Sequence, residues 1–296
     1  MKLISAVVPI SKMQGRFSNL KFWLKQIDFN IMEIILVHDI QDNVTSEELK
    51  TILMDYELEI LKHNLFIFEK YCGSPGFARN CGLDLATGKW IVFWDSDDLP
   101  NIPEYIKIAR ENPEGIDLII GQFAVSEIGS SSKSTSRFEH KTLNEVAFNP
   151  GIWRMIFSRA SIDTNLRFEK FLMGEDQLFI ANYFKTQPEI YFTKVTFYTY
   201  FTGGTLQLTS NQKAILDLKQ TISASKFVVK ELQEPYKQFA VICTIRQIIT
   251  LLSDGTVITK FWAIKELIFF TVKYARKQRT ISLLLKFYLK RIGFLA

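Results

Sequence analysis

The run Asp95-Ser96-Asp97-Asp98 puts three carboxylates into four positions, directly after the apolar segment WIVFW at residues 90–94, and Pro100 closes it. Like charges packed this closely repel, so either water at a surface turn or a cation must offset them. Asp95 and Asp97 stand two apart, and in an extended or turning backbone both can face one site. Hard oxygen ligands of this kind suit Mg2+ or Mn2+, which take few protein carboxylates and complete their shell with water and substrate phosphates. The competing reading is a solvated acidic turn that caps the next helix. An EF-hand calcium loop fits poorly, because its Gly and terminal Glu are absent. A second acidic pair, Glu175-Asp176, reads on its own as acid in the first turn of a helix, where the macrodipole favours it. His38 and His140 have no evident partner, and neither is taken as a metal ligand.

The elements that position these residues follow from patterning. Residues 3–10, LISAVVPI, form a near-continuous apolar run, which predicts a strand buried on both faces as in a parallel sheet. Similar strands are expected at 33–38, 65–69, 90–94 and 116–125, with helices near 18–26 and 46–55 between them. Before the strand at 90–94, Ser74 is a good N-cap, Pro75 suits the first helical position, and Gly88 lies just past the helix end. Ala78, Cys81 and Leu85 then share one face, leaving Arg79 and Asn80 to point elsewhere. Alternating strands and helices predict an α/β domain with a largely parallel sheet. Ligands of such sheets bind outside the carboxyl ends of the strands, at a topological switch point. Two strands end there in acid, one in Asp39 and one in Asp95. Residues 129–137, GSSSKSTSR, read as a polar loop tip, and beyond about Ser210 helical periodicity takes over. The expected domains are therefore 1–210, catalytic and α/β, and 211–296, helical with a basic amphipathic tail.

Of the 296 residues, 47% are hydrophobic and 23% charged, which fits a globular chain with a sizeable core and excludes a disordered one. Three cysteines, Cys72, Cys81 and Cys243, fit neither a zinc site nor a disulfide framework and read as reduced core thiols of a cytoplasmic protein. The start, MKLISAVVPISK, is too short an apolar run for a signal peptide. No uncharged apolar stretch reaches the roughly 18 residues of a membrane span. The net charge of +5 is uneven: residues 258–296 hold nine Lys or Arg against one acid, Glu266, so this tail carries +8 and residues 1–257 carry −3. A basic amphipathic tail reads as binding an anionic membrane surface. The alternative is helices packed on the first domain with solvated basic edges. Nucleic acid is a poorer fit, since the charge is terminal and no known binding motif is present.

Residues 73–98, GSPGFARNCGLDLATGKWIVFWDSDD, resemble the signature of inverting family 2 glycosyltransferases with the GT-A fold, a Rossmann-like nucleotide-sugar domain. In that family a Gly-Pro-Gly-x-Ala-Arg-Asn-x-Gly helix leads to a strand ending in Asp-x-Asp-Asp. The resemblance extends over roughly residues 3–208: Pro9 ends the first strand, EIILVHD resembles the second, and residues 151–179 resemble the acceptor-side segment ending in Glu-Asp. It implies that Asp95 and Asp97 hold Mn2+ or Mg2+ on the diphosphate of a UDP-sugar, with Ser96 between them. It places Arg79 and Gly76 near the pyrophosphate, and Pro9 and Asp39 near the base. Asp176 becomes the general base, with Glu175 supporting it or binding acceptor. The acceptor would be a saccharide or lipid-linked saccharide of a surface glycan, and the basic tail would attach the protein peripherally at the inner face of the cytoplasmic membrane, where lipid-linked acceptors sit.

The chain departs from the family pattern in three places. Ser11 and Lys12 stand where an aromatic and an Asn are usual, His38-Asp39-Ile40-Gln41 replaces Asp-Asp-Gly-Ser, and YTYFTGGTLQ lacks the usual Arg or His. Trp153 reads equally as a sugar-stacking or a core residue. Two other functions compete: a sugar-phosphate nucleotidyltransferase, against which the first strand lacks a Gly-rich loop with Arg, and a catalytically inactive GT-A scaffold.

Overall fold

The computed structural model describes residues 1–13, 16–40, 43–111, 114–127, 136–203 and 212–274. The chain folds as two compact units that interleave in sequence. The first comprises residues 1–140, 151–170 and 188–205; the second comprises 141–150, 171–187 and 206–296. Segments 141–150 and 171–187 thus precede residue 210 in sequence yet fold with the helices that follow it.

The first unit is built on a nine-stranded sheet. Its strands are β1 (Ile4–Ile10), β2 (Met32–Asp39), β3 (Leu65–Lys70), β4 (Trp90–Phe93), β5 (Leu99–Pro100), β6 (Leu118–Glu127), β7 (Ser136–Phe138), β8 (Met155–Ser158) and β9 (Ile190–Thr202). The order is β3-β2-β1-β4-β8-β6-β9-β5, with β7 on β6. The β3-β2-β1-β4 half is parallel, β6 and β9 pair in parallel, and β8, β7 and β5 pair antiparallel. All eight residues of β2 and six of the seven in β1 are buried, as runs apolar on both faces require. The strands β5, β7, β8 and β9 were not foreseen: the first three have two to four residues and carry no periodic signal, and the 13-residue β9 was not among the expected strands. Ser136–Phe138 pairs with β6 within the stretch expected to be a polar loop; the rest of that stretch lies outside the described residues.

The helices of this unit are α1 (Ser18–Leu24), α2 (Asn43–Leu53), α3 (Glu57–Leu61), α4 (Pro75–Leu85) and α5 (Ile102–Glu111). Beneath the end of β4 lies an aromatic pile: Trp94 meets Trp23 edge-on at 5.6 Å and Tyr105 at 5.2 Å, and Tyr105 stacks on Phe197 at 4.7 Å. Such pairs are worth about 0.5–1.5 kcal/mol each beyond area burial, and here they fix the point at which the chain leaves the sheet.

The second unit is helical: α6 (Leu143–Val146), α7 (Glu175–Tyr183), α8 (Gln212–Glu231), α9 (Tyr236–Asp254) and α10 (Val257–Tyr274). Helix α9 packs against both α8 and α10 and buries residues on nearly every side, which its largely apolar sequence permits. Thr142 and Glu145 form a capping box that starts α6.

Candidate active site

The neighbours of β1 are β2 on one side and β4 on the other, so the strand order reverses there, and the carboxyl ends of these strands are where ligands of such sheets bind. Trp94 N–H still donates to Val7 O at 3.1 Å, and the chain departs from the sheet at Asp95. The acidic run therefore sits at the switch point.

Helix α4 delivers the first partner. Ser74 Oγ accepts from Phe77 N–H at 3.3 Å and Pro75 occupies the first turn, as expected. One turn later Arg79 is buried; its Nη2 donates to Asp95 Oδ1 at 2.9 Å and its guanidinium lies 5.7 Å from the Phe168 ring centroid. Gly88 is not a left-handed cap of this helix, which ends on Ala86 in extended backbone. It instead allows close approach to β1, since a Cβ there would lie 2.7 Å from Ser5 N.

Asp97 is held by Arg16, whose Nη2 contacts Oδ2, while Asn19 Nδ2 donates to the Asp97 carbonyl at 2.5 Å. Asp98 is buried and accepts from Phe201 N–H at 2.9 Å. Burial first, and then the charges of Asp95 and Asp97, push its carboxyl well above the usual carboxylate range. Tyr198 OH accepts from Asp95 N–H at 2.9 Å, and burial likewise pushes this phenol up. The repulsion within the run is thus relieved by two guanidinium groups and by holding the third acid toward its neutral form. Asp95 and Asp97 keep about a third of their side-chain surface exposed, at 32% and 33%. Two exposed carboxylates fit an ion that completes its shell with substrate phosphates. Among the described residues there is no cluster of three or more His, Cys, Asp and Glu that could form an all-protein cage.

The other donor-side residues are placed as follows. Pro9 is half-buried and pairs with Val37, one residue before β1 ends, rather than closing the strand. Asp39 is buried at the end of β2 and accepts from Cys72 N–H at 2.8 Å and Gly73 N–H at 3.0 Å, organising the turn into α4. Gly73 takes φ +72°, a conformation that glycine adopts without strain. Gly76 is buried in the first turn of α4. Ser96 is buried with its hydroxyl 3.2 Å from Met13 Sδ. Cys72 and Cys243 are buried and Cys81 is half-buried, all three as free thiols; burial first pushes Cys72 up to about 12.

In the second unit, Glu175 and Asp176 open α7. Gly174 precedes them at φ +80°, and a Cβ there would meet Gln247 Nε2 at 2.7 Å. The approach to the helix is fixed by Leu172 N–H donating to Asp217 Oδ2 at 2.6 Å and by Thr221 Oγ1 donating to Met173 O at 2.8 Å. Gln247 Nε2 donates to Gln177 Oε1 at 3.0 Å. Glu175 is buried; Asp176 is half-buried and accepts from Gln177 N–H at 2.8 Å.

Neither histidine stands alone. His38 Nδ1 lies 3.2 Å from Glu69, and His140 Nδ1 lies 2.7 Å from Nη1 of Arg154, a buried guanidinium that desolvation lowers to about 9. Trp153 stacks on Tyr198 at 4.6 Å and on Tyr200 at 5.8 Å. The sequence reading missed Arg16, Asn19, Tyr198 and Arg154. For Arg16 a signal existed: three packed acids require cations, and it is the arginine that follows the first strand. The loop around Gly204, where missing phosphate contacts were expected, lies outside the described residues beyond Gly203.

Residues 20–172 match the family model for glycosyl transferase family 2. A curated relative, the GalNAc(5)-diNAcBac-PP-undecaprenol beta-1,3-glucosyltransferase of Campylobacter jejuni, is 21% identical over 241 residues, covering 79% of this chain and 76% of its own. Among solved structures, the 1–349 segment of S. aureus TarS in complex with UDP-GlcNAc superposes with a TM-score of 0.70 at 19% identity, covering 99% of this chain and 88% of that one. The mannosyltransferase PcManGT of Pyrobaculum calidifontis, solved with GDP-Man and Mn2+, gives 0.52 at 10% identity, covering 98% and 86%. With more than half the chain inside the family model, and with a GT-A-like sheet followed by helices, this protein belongs to glycosyl transferase family 2 and is a glycosyltransferase.

Proposed function

We propose that the chain is an inverting, metal-dependent enzyme that moves a sugar from a UDP-sugar to a hydroxyl of a lipid-linked surface glycan. The observation that carries this reading is the pair of half-exposed carboxylates, Asp95 and Asp97, each held by an arginine at the β1/β4 switch point. The UDP-GlcNAc seen with TarS and the undecaprenol named for the Campylobacter relative support the choice of donor and acceptor.

Asp95 and Asp97 would hold the divalent ion. When bound, a magnesium or manganese ion supplies Lewis-acid neutralisation of the departing diphosphate. Arg79 faces the pyrophosphate beside them, with Gly76 and Ser96 on the same side. Asp39, with the turn at Cys72-Gly73, and Pro9 face the base. Asp176 takes the proton of the acceptor hydroxyl as it attacks the anomeric carbon opposite the leaving group, and Glu175 supports it or binds acceptor. The transition state is oxocarbenium-like, and no covalent enzyme intermediate is needed. The protein works in the cytoplasm, attached peripherally to the inner membrane face.

A panel of nucleotide sugars incubated with the protein and Mn2+ tests the reading through donor hydrolysis. Free UDP is the expected product. Pyrophosphate would mark a nucleotidyltransferase, and no product together with no ion-linked nucleotide affinity would mark a scaffold.

A further inference from the structure

Helix α10 is apolar on the side that packs and apolar on the side that does not. Each helical residue turns the direction by about 100°. On that wheel Ala263, Glu266 and Phe270 fall together, and they are the buried residues of the helix. Half a turn away fall Phe261, Ile264, Ile268 and Val272, exposed by 71%, 46%, 60% and 60%. A helix on a water-facing surface normally carries polar residues there. Lys265 is exposed beside this stripe, Lys273 is exposed further round the helix next to Phe269, and Lys260 is half-buried. The sole acid of the helix, Glu266, is buried and paired with Lys226. The lysine ammonium groups of Lys226 and Lys273 lie 5.1 and 5.2 Å from the Phe269 ring centroid, so charge and aromatic surface are interleaved. Among the described residues no helix is long and apolar enough to cross a membrane.

The geometry points to this face as a monolayer-inserting surface whose occupant is an anionic lipid bilayer: the apolar stripe enters the acyl boundary while the lysines meet headgroup phosphates. Charge decides against self-association. A second copy docked through a two-fold axis would set the same patch against itself, lysine against lysine, with no exposed acid on α10 to offset them. The inference rests on the peripheral attachment already proposed and assigns it to particular residues.

The test is co-sedimentation of the full chain with phosphatidylglycerol vesicles and with phosphatidylcholine vesicles, alongside donor hydrolysis in the same samples. The double variant Phe261→Ser/Ile268→Ser is expected to lower partitioning onto the anionic vesicles by at least about tenfold. Lys265→Gln/Lys273→Gln should lower it by about fivefold per charge removed, an effect that disappears on phosphatidylcholine. UDP release should not change in either. Ile264→Ser/Val272→Ser, on the same stripe, must reproduce the loss. The inference is overturned if the wild-type chain does not bind, or if the stripe variants bind as well as wild type, which would place attachment elsewhere. It is also overturned if the wild-type chain forms a dimer that the stripe variants abolish without any vesicle binding. Should no donor be hydrolysed by any of these proteins, the transfer chemistry fails while the vesicle result is judged separately.

Discussion

At opposite ends of the parallel strands β2, β1 and β4, one carboxylate and a pair of carboxylates are treated in opposite ways. At the amino end, Glu33 of β2 is buried at 2% exposure, and the chain supplies all its donors: Ser5 Oγ at 2.5 Å, Thr87 N–H at 2.6 Å and Thr87 Oγ1 at 2.8 Å. Gly88 N–H closes the network onto Ser5 Oγ at 2.7 Å. These donors are short side chains and backbone. At the carboxyl end, Asp95 and Asp97 are half-exposed and face the tips of two long arginine side chains. An acid whose partners cannot move ties strands together. Asp97, whose partner Arg16 is partly exposed and can swing away, is free to meet a ligand. The contrast predicts that Glu33 governs stability and the Asp-x-Asp pair governs activity.

The largest effects are expected at the carboxyl end. Asp97→Ala should lower transfer by about a thousandfold and remove ion-linked UDP affinity, as seen by calorimetry on chelator-stripped and replenished protein. Its melting temperature should stay near that of the wild type. Asp176→Asn should lower transfer by about 10²–10⁴-fold while UDP affinity persists, which separates the base from the donor site. Full transfer by Asp176→Asn would remove it from that role.

Next come the stability effects at the amino end. Glu33→Ala strands three donors in a buried site and should cost about 3–5 kcal/mol in urea unfolding. Gly88→Ala forces a Cβ against Ser5 N and Oγ at 2.7 Å and should cost about 1–3 kcal/mol. In both, transfer per folded molecule should be unchanged. Lost transfer with intact stability would break the contrast.

How much of this could be read in the sequence follows the same division. The runs at β1, β2 and β4 are buried on both faces and so spell themselves out, and Ser74-Pro75 announces α4 in local chemistry. The Asp-x-Asp pair was visible because its spacing is local. What was not legible depends on contacts between distant residues. Arg16 reaches Asp97 across 81 positions and Phe201 reaches Asp98 across 103, and no window of sequence contains either pair. Glu33 was hidden for the same reason: it opens the run EIILVH as a lone acid, and only Ser5 and Thr87, 28 and 54 residues away, make it structural. The folding of residues 171–187 with the later helices was equally invisible, because it depends on Asp217, Thr221 and Gln247.

The smallest effect tests the contrast most sharply, because it concerns only the mobility of a partner. Arg16 contacts Asp97 Oδ2, so a cation that takes this oxygen must displace it. Both groups are partly exposed, at 27% and 33%, so solvent screens the pair and its worth lies within about 1 kcal/mol. Arg16→Gln should therefore tighten manganese binding to the nucleotide-free protein by no more than about fivefold, measured by the loss of the free-ion paramagnetic signal on titration. With UDP present the sign should reverse or the gain vanish, because a displaced guanidinium can turn to the diphosphate and the glutamine cannot. The corresponding change at the other end, Thr87→Val, has no ion to release and should alter stability alone. If Arg16→Gln leaves manganese affinity unchanged with and without UDP, Arg16 is no more mobile a partner than Thr87, and the distinction between the two ends must rest on exposure rather than on the freedom of the cation.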